Sequence, residues 1–146
     1  MNKYEQRAIM VAGSLMGVFL FALLYSAFSR KIDVPSCTPF NTRFEKSQVK
    51  KVDDNRYEIY VVAHMWTYDP GDISIPAGST VDFYLTSTDV VHGFEITRKD
   101  INLMAVPGGI TKKTVSFKEP GIYPIVCNEY CGYNHQNMLG AITVTY

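Results

Sequence analysis

Metal-binding side chains cluster near the end of this 146-residue sequence. The segment CNEYCGYNHQNM places Cys127, Cys131, His135 and Met138 within twelve residues, directly after a predicted strand. His92 lies 35 positions before Cys127, in the loop predicted after an earlier strand. Thiolate, imidazole and thioether groups together form a soft donor set that suits copper. The thioether distinguishes this set from structural zinc sites, which use cysteine and histidine.

Each of these residues also has a simpler interpretation. A single histidine such as His92 is usually a hydrogen-bonded loop residue, and Met138 alone would fill the core. Cys127 and Cys131 would form a disulfide in an oxidising compartment, or would bind zinc together with the histidines. The combination of all these donors favours copper over both alternatives.

The number of cysteines indicates which type of copper site to expect. A blue-copper centre uses two histidines, one cysteine and a weak axial methionine around one metal. This segment supplies two thiolates, so Cys127 and Cys131 can each bridge two copper ions and leave one histidine for each metal. Met138 can serve one copper, and a backbone carbonyl, best placed at Glu129, can serve the other. Because the cysteine thiols must lose their protons to bind a metal, metal binding should weaken in acid.

Short β-prone runs from about Arg56 onward predict the all-β domain that must position these donors. Val81, Phe83 and Leu85 alternate with polar residues, as in a half-buried antiparallel strand. Turn signals such as Pro107-Gly108-Gly109 separate the runs. Strands of this length and spacing predict a sandwich or a Greek-key barrel. The predicted strands are 57–63, 81–86, 114–117, 122–126 and 141–146.

The N-terminal segment is of a different kind. Between Arg7 and Arg30 the sequence contains no charged residue and no proline. As a helix, residues 8–29 would be about 33 Å long, enough to cross a bilayer. A signal peptide is the alternative, but its apolar region is normally only about 7–15 residues long. We therefore predict a transmembrane anchor over residues 1–30, a linker over 31–51 and a β domain over 52–146.

Composition narrows the possible functions. The 14 basic and 14 acidic residues give a formal charge of zero, without the basic excess expected of a nucleic-acid binder. Three cysteines are too few for a disulfide-built scaffold, and Cys37 is interpreted as structural or incidental. Basic residues are nearly balanced across the helix, so charge does not specify its orientation. Beyond the anchor the chain is mildly acidic, which is compatible with a basic partner.

The histidine and cysteine segments resemble a known family. His92 together with CNEYCGYNHQNM resembles the binuclear copper A motif of cytochrome c oxidase subunit II. The sequence TSTDVVHGFEI around His92 is also similar to that family's first-ligand loop. This resemblance covers the chain from about Tyr57 to the end. The single predicted helix resembles the short subunit II of B-type haem-copper oxidases, whereas the A-type subunit usually has two helices.

The resemblance implies a respiratory function in a membrane complex. It implies a cupredoxin-like Greek-key β-barrel outside the cytoplasmic membrane, with the N-terminus in the cytoplasm. The domain would take electrons from cytochrome c and pass them to haem in subunit I, where oxygen is reduced. The chain would thus act as one subunit of an enzyme, cytochrome c oxidase. The implied copper ligands are the side chains of His92, Cys127, Cys131, His135 and Met138, and the carbonyl of Glu129.

Several other residues keep two interpretations. Trp66, the only tryptophan, would either serve as the electron-entry contact or pack at an edge of the barrel. In many A-type relatives the acid matching Glu129 also reaches a magnesium ion, and whether that holds here is left open. Asp89 would help docking or hold loop hydrogen bonds, and His64 and Glu5 are interpreted as having no special role. The alternative functions are a stand-alone membrane-anchored electron carrier and a copper-delivery protein.

Overall fold

The computed structural model describes residues 2–30, the backbone of residues 36–37, and residues 44–146. In these parts the chain forms one long helix followed by a series of strands. This order agrees with the predicted apolar helix and all-β domain. Much of the predicted linker 31–51 and the side chain of Cys37 lie outside the described residues.

The unit Met1–Asp33 contains the helix α1, Lys3–Arg30. The Oδ1 atom of Asn2 accepts a hydrogen bond from the Tyr4 N–H at 3.2 Å, and the Glu5 carboxylate accepts one from the Asn2 N–H at 2.9 Å. This reciprocal arrangement resembles a capping box and gives Glu5 a structural role at the helix start. The helix is long and apolar enough to cross a membrane.

The unit Val34–Tyr146 is built from β-strands. The strands among the described residues are β1 (Ser36–Cys37), β2 (Gln48–Asp53), β3 (Arg56–His64), β4 (Thr67–Asp69), β5 (Asp72–Pro76), β6 (Ser79–Ser87), β7 (His92–Ile96), β8 (Ile101–Ala105), β9 (Thr111–Phe117), β10 (Gly121–Val126) and β11 (Leu139–Thr145).

These strands form two sheets. One sheet has the order β1-β9-β6-β3-β2, with β4 paired to β3, and the other has the order β5-β11-β10-β7-β8. β3 pairs with β6, and β5 with β11, in parallel, while the other pairs are antiparallel. One hydrophobic core contains residues from both sheets, including Phe83 and Phe94, whose ring centroids are 5.6 Å apart.

The strand β6 lies at the centre of its sheet and is buried on both faces. Val81, Phe83 and Leu85 point into the core, as the alternation predicted. The prediction of a half-buried strand was nevertheless wrong, because Asp82 and Tyr84 on the opposite face are also buried. An ion pair and an aromatic stack cover that face, which lets a strand with polar residues occupy a central position.

Three strands of the second sheet bring the predicted donors to one end of the domain. Val126, the last residue of β10, pairs with Leu139 at the start of β11 and with Glu95 of β7. Since β7 and β10 are antiparallel, His92 lies beside the chain that follows Val126. His92 was predicted in a loop, but it is the first residue of β7. The strand therefore fixes its backbone next to the cysteine segment.

All five predicted strands are present, within a few residues of their predicted limits. Among the described residues, the sequence interpretation missed β1, β2, β4, β5, β7 and β8. Of these, β2 begins at Gln48, inside the segment that was predicted to be a linker.

Candidate metal centre

The loop between β10 and β11 holds its donors through its own backbone. The Cys127 N–H donates to the Met138 carbonyl at 3.3 Å, which closes the loop at its base. A 3-10 turn at His135–Asn137 lets the Met138 N–H donate to the His135 carbonyl at 3.1 Å. These bonds set the relative positions of Cys127, His135 and Met138 without a metal.

Cys131 lies at the centre of the donor atoms. Its Sγ atom is 3.5 Å from Cys127 Sγ, 3.5 Å from His135 Nδ1 and 3.8 Å from Met138 Sδ. The Cys127 thiol lies 3.3 Å from the Glu129 carbonyl oxygen. Both cysteines and Met138 are buried, so these sulfurs are shielded from water.

His92 completes the group from the neighbouring strand. Its side chain is fully buried, and its donor atom lies within 4.8 Å of those of Cys127 and Cys131. Its Nε2 atom is 2.7 Å from Asp89 Oδ1, while Nδ1 has no hydrogen-bond partner among the described residues. A buried polar atom without a partner requires an explanation, and a bound metal supplies one. Two observations therefore fit a bound metal: the donors are of types that bind metals, and the buried Nδ1 atom of His92 has no other partner among the described residues.

Protonation at the site depends on burial and on neighbouring groups. Burial, with the adjacent Cys127 thiol, raises the pKa of Cys131 to about 12. Without a metal this thiol keeps its proton at neutral pH, so a metal must displace it. Burial also opposes ionisation of Asp89, but hydrogen bonds from His92 and from the N–H groups of Val90 and Met65 outweigh it and lower its pKa to about 2.

Trp66 contacts the donor loop directly. Its Nε1–H donates to the Cys131 carbonyl at 3.2 Å. A Cβ atom added to Gly132 would lie 3.3 Å from Trp66 Nε1, and Gly132 has a φ of +116° that side chains rarely adopt. Glycine at this position thus lets the indole approach the loop. This contact places Trp66 directly against the donor loop.

Two buried residues that the sequence interpretation missed shape the site. A Cβ atom on Gly93 would lie 2.0 Å from Asn128 Oδ1 and 2.6 Å from the Asn128 backbone nitrogen, so only glycine lets β7 approach the loop this closely. The Tyr68 hydroxyl donates to the Gly93 carbonyl at 2.5 Å. Burial and the Cys127 thiol raise the pKa of Tyr68, which stays neutral beside the sulfurs. The glycine directly after His92 was the feature of the sequence that could have indicated this close approach.

Two other polar side chains considered from sequence are not in this buried group of donors. His64 Nε2 is 2.9 Å from Asp69 Oδ2, and this partly exposed pair is not in the buried histidine–cysteine group. The Glu129 residue is exposed, although its carbonyl faces Cys127. The structure thus brings together all six atoms predicted as ligands, and their binding of copper remains a prediction.

Sequence comparison identifies the family. The profile described as "Cytochrome C oxidase subunit II, periplasmic domain" matches residues 47–145 of this chain. The chain belongs to the cytochrome c oxidase subunit II family. Cytochrome c oxidase subunit 2 of Thermus thermophilus is 43% identical over 96 residues, which cover 66% of this chain and 71% of that protein. A second subunit 2 sequence from the same species is also 43% identical, and the match covers 57% of its length.

Solved structures agree with this family. A chain from the cryo-EM structure of a heme-copper terminal oxidase dimer is 38% identical, with a TM-score of 0.83 and coverage of 97% of this chain and 99% of that chain. The periplasmic domain of subunit II of cytochrome oxidase from Bradyrhizobium japonicum has a TM-score of 0.56 at 20% identity, which shows a shared fold. The predicted family, fold class and role as an oxidase subunit are confirmed. The copper and its nuclearity remain predictions.

Proposed function

We propose that this subunit II chain holds a binuclear copper centre and is the electron-entry subunit of a haem-copper terminal oxidase. One observation carries the proposal: the buried Cys127 and Cys131 sulfurs are 3.5 Å apart, with His135 Nδ1 3.5 Å from Cys131 and a His92 ring nitrogen within 4.8 Å of both sulfurs. A single-copper site needs one thiolate, so the second buried thiol is best explained by bridging.

Each donor has an expected role in this centre. Cys127 and Cys131 would bridge the two metals, and His92 and His135 would each bind one of them. Met138 would bind one copper as a weak donor, and the Glu129 carbonyl would bind the other. The exposed side chain of Glu129 is not part of this set of donors.

The protein's own contribution is to hold the donors still and to keep water away. When bound, the copper pair supplies one-electron chemistry with the charge shared between two metals. The closed loop, the strand β7 and the buried sulfurs resist movement, which keeps structural change on electron transfer small. Hydrogen bonds to the metal-binding side chains, such as that between His92 and Asp89, hold those side chains in a fixed orientation.

The family supports a location and a set of partners. We propose that α1 anchors the chain in the cytoplasmic membrane as a single pass, with its N-terminus inside and the β domain on the outer face. Cytochrome c would donate electrons at the copper end of the domain, and haem in subunit I would accept them. Trp66, bonded to the carbonyl of Cys131, is the proposed entry contact.

Metal content and electron paramagnetic resonance of the purified full chain test the centre. We expect two coppers per chain and a seven-line hyperfine pattern in the oxidised form, because the unpaired electron is shared by two copper nuclei. Cys127→Ser and Cys131→Ser should each abolish this pattern, while the matched control Cys37→Ser should preserve it. One copper per chain with a four-line pattern would contradict the binuclear centre.

Isolation from the native membrane in mild detergent separates the oxidase subunit from a lone carrier or a delivery protein. We expect a haem-bearing subunit I to co-purify and reduced cytochrome c to reduce the centre. Trp66→Phe should slow that reduction without loss of copper. Recovery of the chain alone, with copper that exchanges readily with chelators, would favour delivery.

A further inference from the structure

Asp89, in the turn between β6 and β7, contacts more than one part of the site. Its Oδ1 atom lies 2.7 Å from His92 Nε2 and accepts the Val90 N–H at 2.6 Å. Its Oδ2 atom accepts the Met65 N–H at 2.7 Å. The Ser87 hydroxyl lies 3.1 Å from Oδ1. Both carboxylate oxygens therefore act as acceptors for groups on separate segments of the chain.

This arrangement selects one tautomer of His92. Both Asp89 oxygens accept backbone N–H groups, as an ionised carboxylate does, and an ionised carboxylate has no proton to donate to the imidazole. The ring nitrogen that faces it, Nε2, must therefore carry the proton. A neutral imidazole then has a lone pair on Nδ1, the buried nitrogen that has no partner among the described residues.

The same carboxylate also holds the turn that carries Trp66. Met65 and Trp66 lie between β3 and β4, and the Met65 N–H is bonded to Asp89 Oδ2. The next residue, Trp66, donates to the Cys131 carbonyl at 3.2 Å. Asp89 is thus the direct link between His92 on one side and the tryptophan turn on the other.

We propose that Asp89 is a positioning residue that fixes His92 with Nδ1 free for a metal and ties the Met65–Trp66 turn to the same histidine. The proposal rests on the proposed copper centre only for the identity of the metal that Nδ1 would bind. The tautomer and the link to the turn are properties of the metal-free chain.

The metal-free full chain tests the tautomer without any variant of Asp89. Histidine-selective 15N labelling and long-range correlation NMR in detergent would resolve three histidines, and His92→Gln assigns one set of signals. We expect His92 Nε2 in the protonated range and Nδ1 in the unprotonated range. A protonated Nδ1 would overturn the proposal even if the chain binds two coppers.

Asp89→Asn tests the carboxylate itself. The amide has one oxygen, so it can accept from His92 or from Met65, while its NH2 group must face the other. We expect the Nε2–H tautomer to fall from predominant to a minor share, or the emission of the single tryptophan to shift as the turn detaches. Copper(I) affinity, measured against a chelator, should fall about 10–100-fold, as for other groups that orient metal-binding histidines.

Asp69→Asn is the matched control, because Asp69 pairs in the same way with His64 at 2.9 Å. This variant should leave the His92 tautomer and the copper affinity unchanged. If Asp89→Asn changes neither the His92 signals nor the tryptophan emission, the proposal is wrong, whatever its copper content. If copper binding fails in the wild-type chain while the tautomer is as expected, the proposed function fails and the role of Asp89 stands.

Discussion

At the scale of single residues, the distance between the two thiols makes the site sensitive to oxidation when no metal is bound. The Cys127 and Cys131 sulfurs are 3.5 Å apart, and a disulfide requires about 2.0 Å, so a small movement suffices. The thiols would lose two electrons and two protons to an added disulfide oxidant. The resulting bond would remove both proposed bridging ligands.

We therefore expect mild oxidation of the metal-free chain to block copper loading, and a thiol reductant to restore it. Counting free thiols before and after oxidation, followed by copper analysis, measures both effects. Cys37→Ser serves as the control, since it removes the third cysteine and should leave the oxidation unchanged. Full copper loading after loss of two thiols would contradict this prediction.

The close approach of β7 to the loop makes Gly93 a second sensitive residue. In Gly93→Ala the new Cβ would overlap Asn128, including its backbone, so the strand and the loop must separate. We expect a loss of about 1–3 kcal/mol in the free energy of unfolding, typical of overpacking, together with weaker copper binding. Gly109→Ala is the control, because its Cβ would meet Val106 at an ordinary 3.7 Å. Equal stability of the two variants in denaturant unfolding would refute the argument.

The sequence was informative about ligands and less so about the residues that hold them. The types and spacing of cysteine, histidine and methionine predicted the group of donors that the structure brings together, and copper binding by that group stays a prediction. Asp89 and Tyr68 are common residue types, and their roles arise from contacts with His92 and Gly93 that only the folded chain creates. Trp66 was singled out by its rarity, and the structure added its bond to Cys131.

At the scale of strands, the sequence predicted the strands that contain clear β-prone runs. The strands that it missed are short or lack an alternating apolar pattern. β5 lies between Pro70-Gly71 and the proline at its own end, and its alternating pattern covers only five residues. β2 is exposed along its whole length and has no apolar periodicity to detect. Such edge strands form because a neighbouring strand offers hydrogen bonds. The local sequence does not show which strand will be the neighbour.

Asp82 links the central strand of its sheet to both neighbours, and it gives the domain a defined response to acid. It lies on β6 and accepts hydrogen bonds from Arg56 on β3 at 2.9 Å and from Thr114 on β9 at 2.6 Å. Burial favours the neutral acid, but these bonds outweigh it and hold the pKa of Asp82 below its ordinary value.

Because the pKa is lower in the folded state than in the unfolded chain, the contribution of Asp82 to stability is fully present above the unfolded value. It is lost as the pH falls through the folded value. We expect the melting temperature to drop in acid more steeply for the wild type than for Asp82→Asn, which should be less stable at neutral pH. Asp54→Asn, at a side chain that is 98% exposed, should behave as the wild type. Parallel curves for Asp82→Asn and the wild type would contradict this assignment.

At the scale of the whole molecule, the chain joins a helix suited to lipid with a domain suited to water. Its average composition concealed this division, because the neutral total combines a positively charged N-terminal region, with Lys3, Arg7, Arg30 and Lys31 against Glu5, and a mildly acidic remainder of the chain. The helix satisfies its backbone internally, so lipid tolerates it, and the buried residues of the hydrophobic core come from the β domain. The two units can thus meet different solvents.

The proposed topology leads to a test that uses the intact chain in its membrane. Basic residues flank the apolar stretch of α1 on both sides, so charge alone does not determine its orientation, and the family's periplasmic domain supplies the expectation. In cells with a permeable outer layer but an intact cytoplasmic membrane, added protease should digest the domain Val34–Tyr146 and spare an N-terminal tag. In inverted vesicles the pattern should reverse, with the tag removed and the domain protected. A cytoplasmic protein that stays intact in the cells controls for leakage. Digestion of the domain only in inverted vesicles would place it in the cytoplasm, where a cytochrome c on the outer face could not reach the copper end.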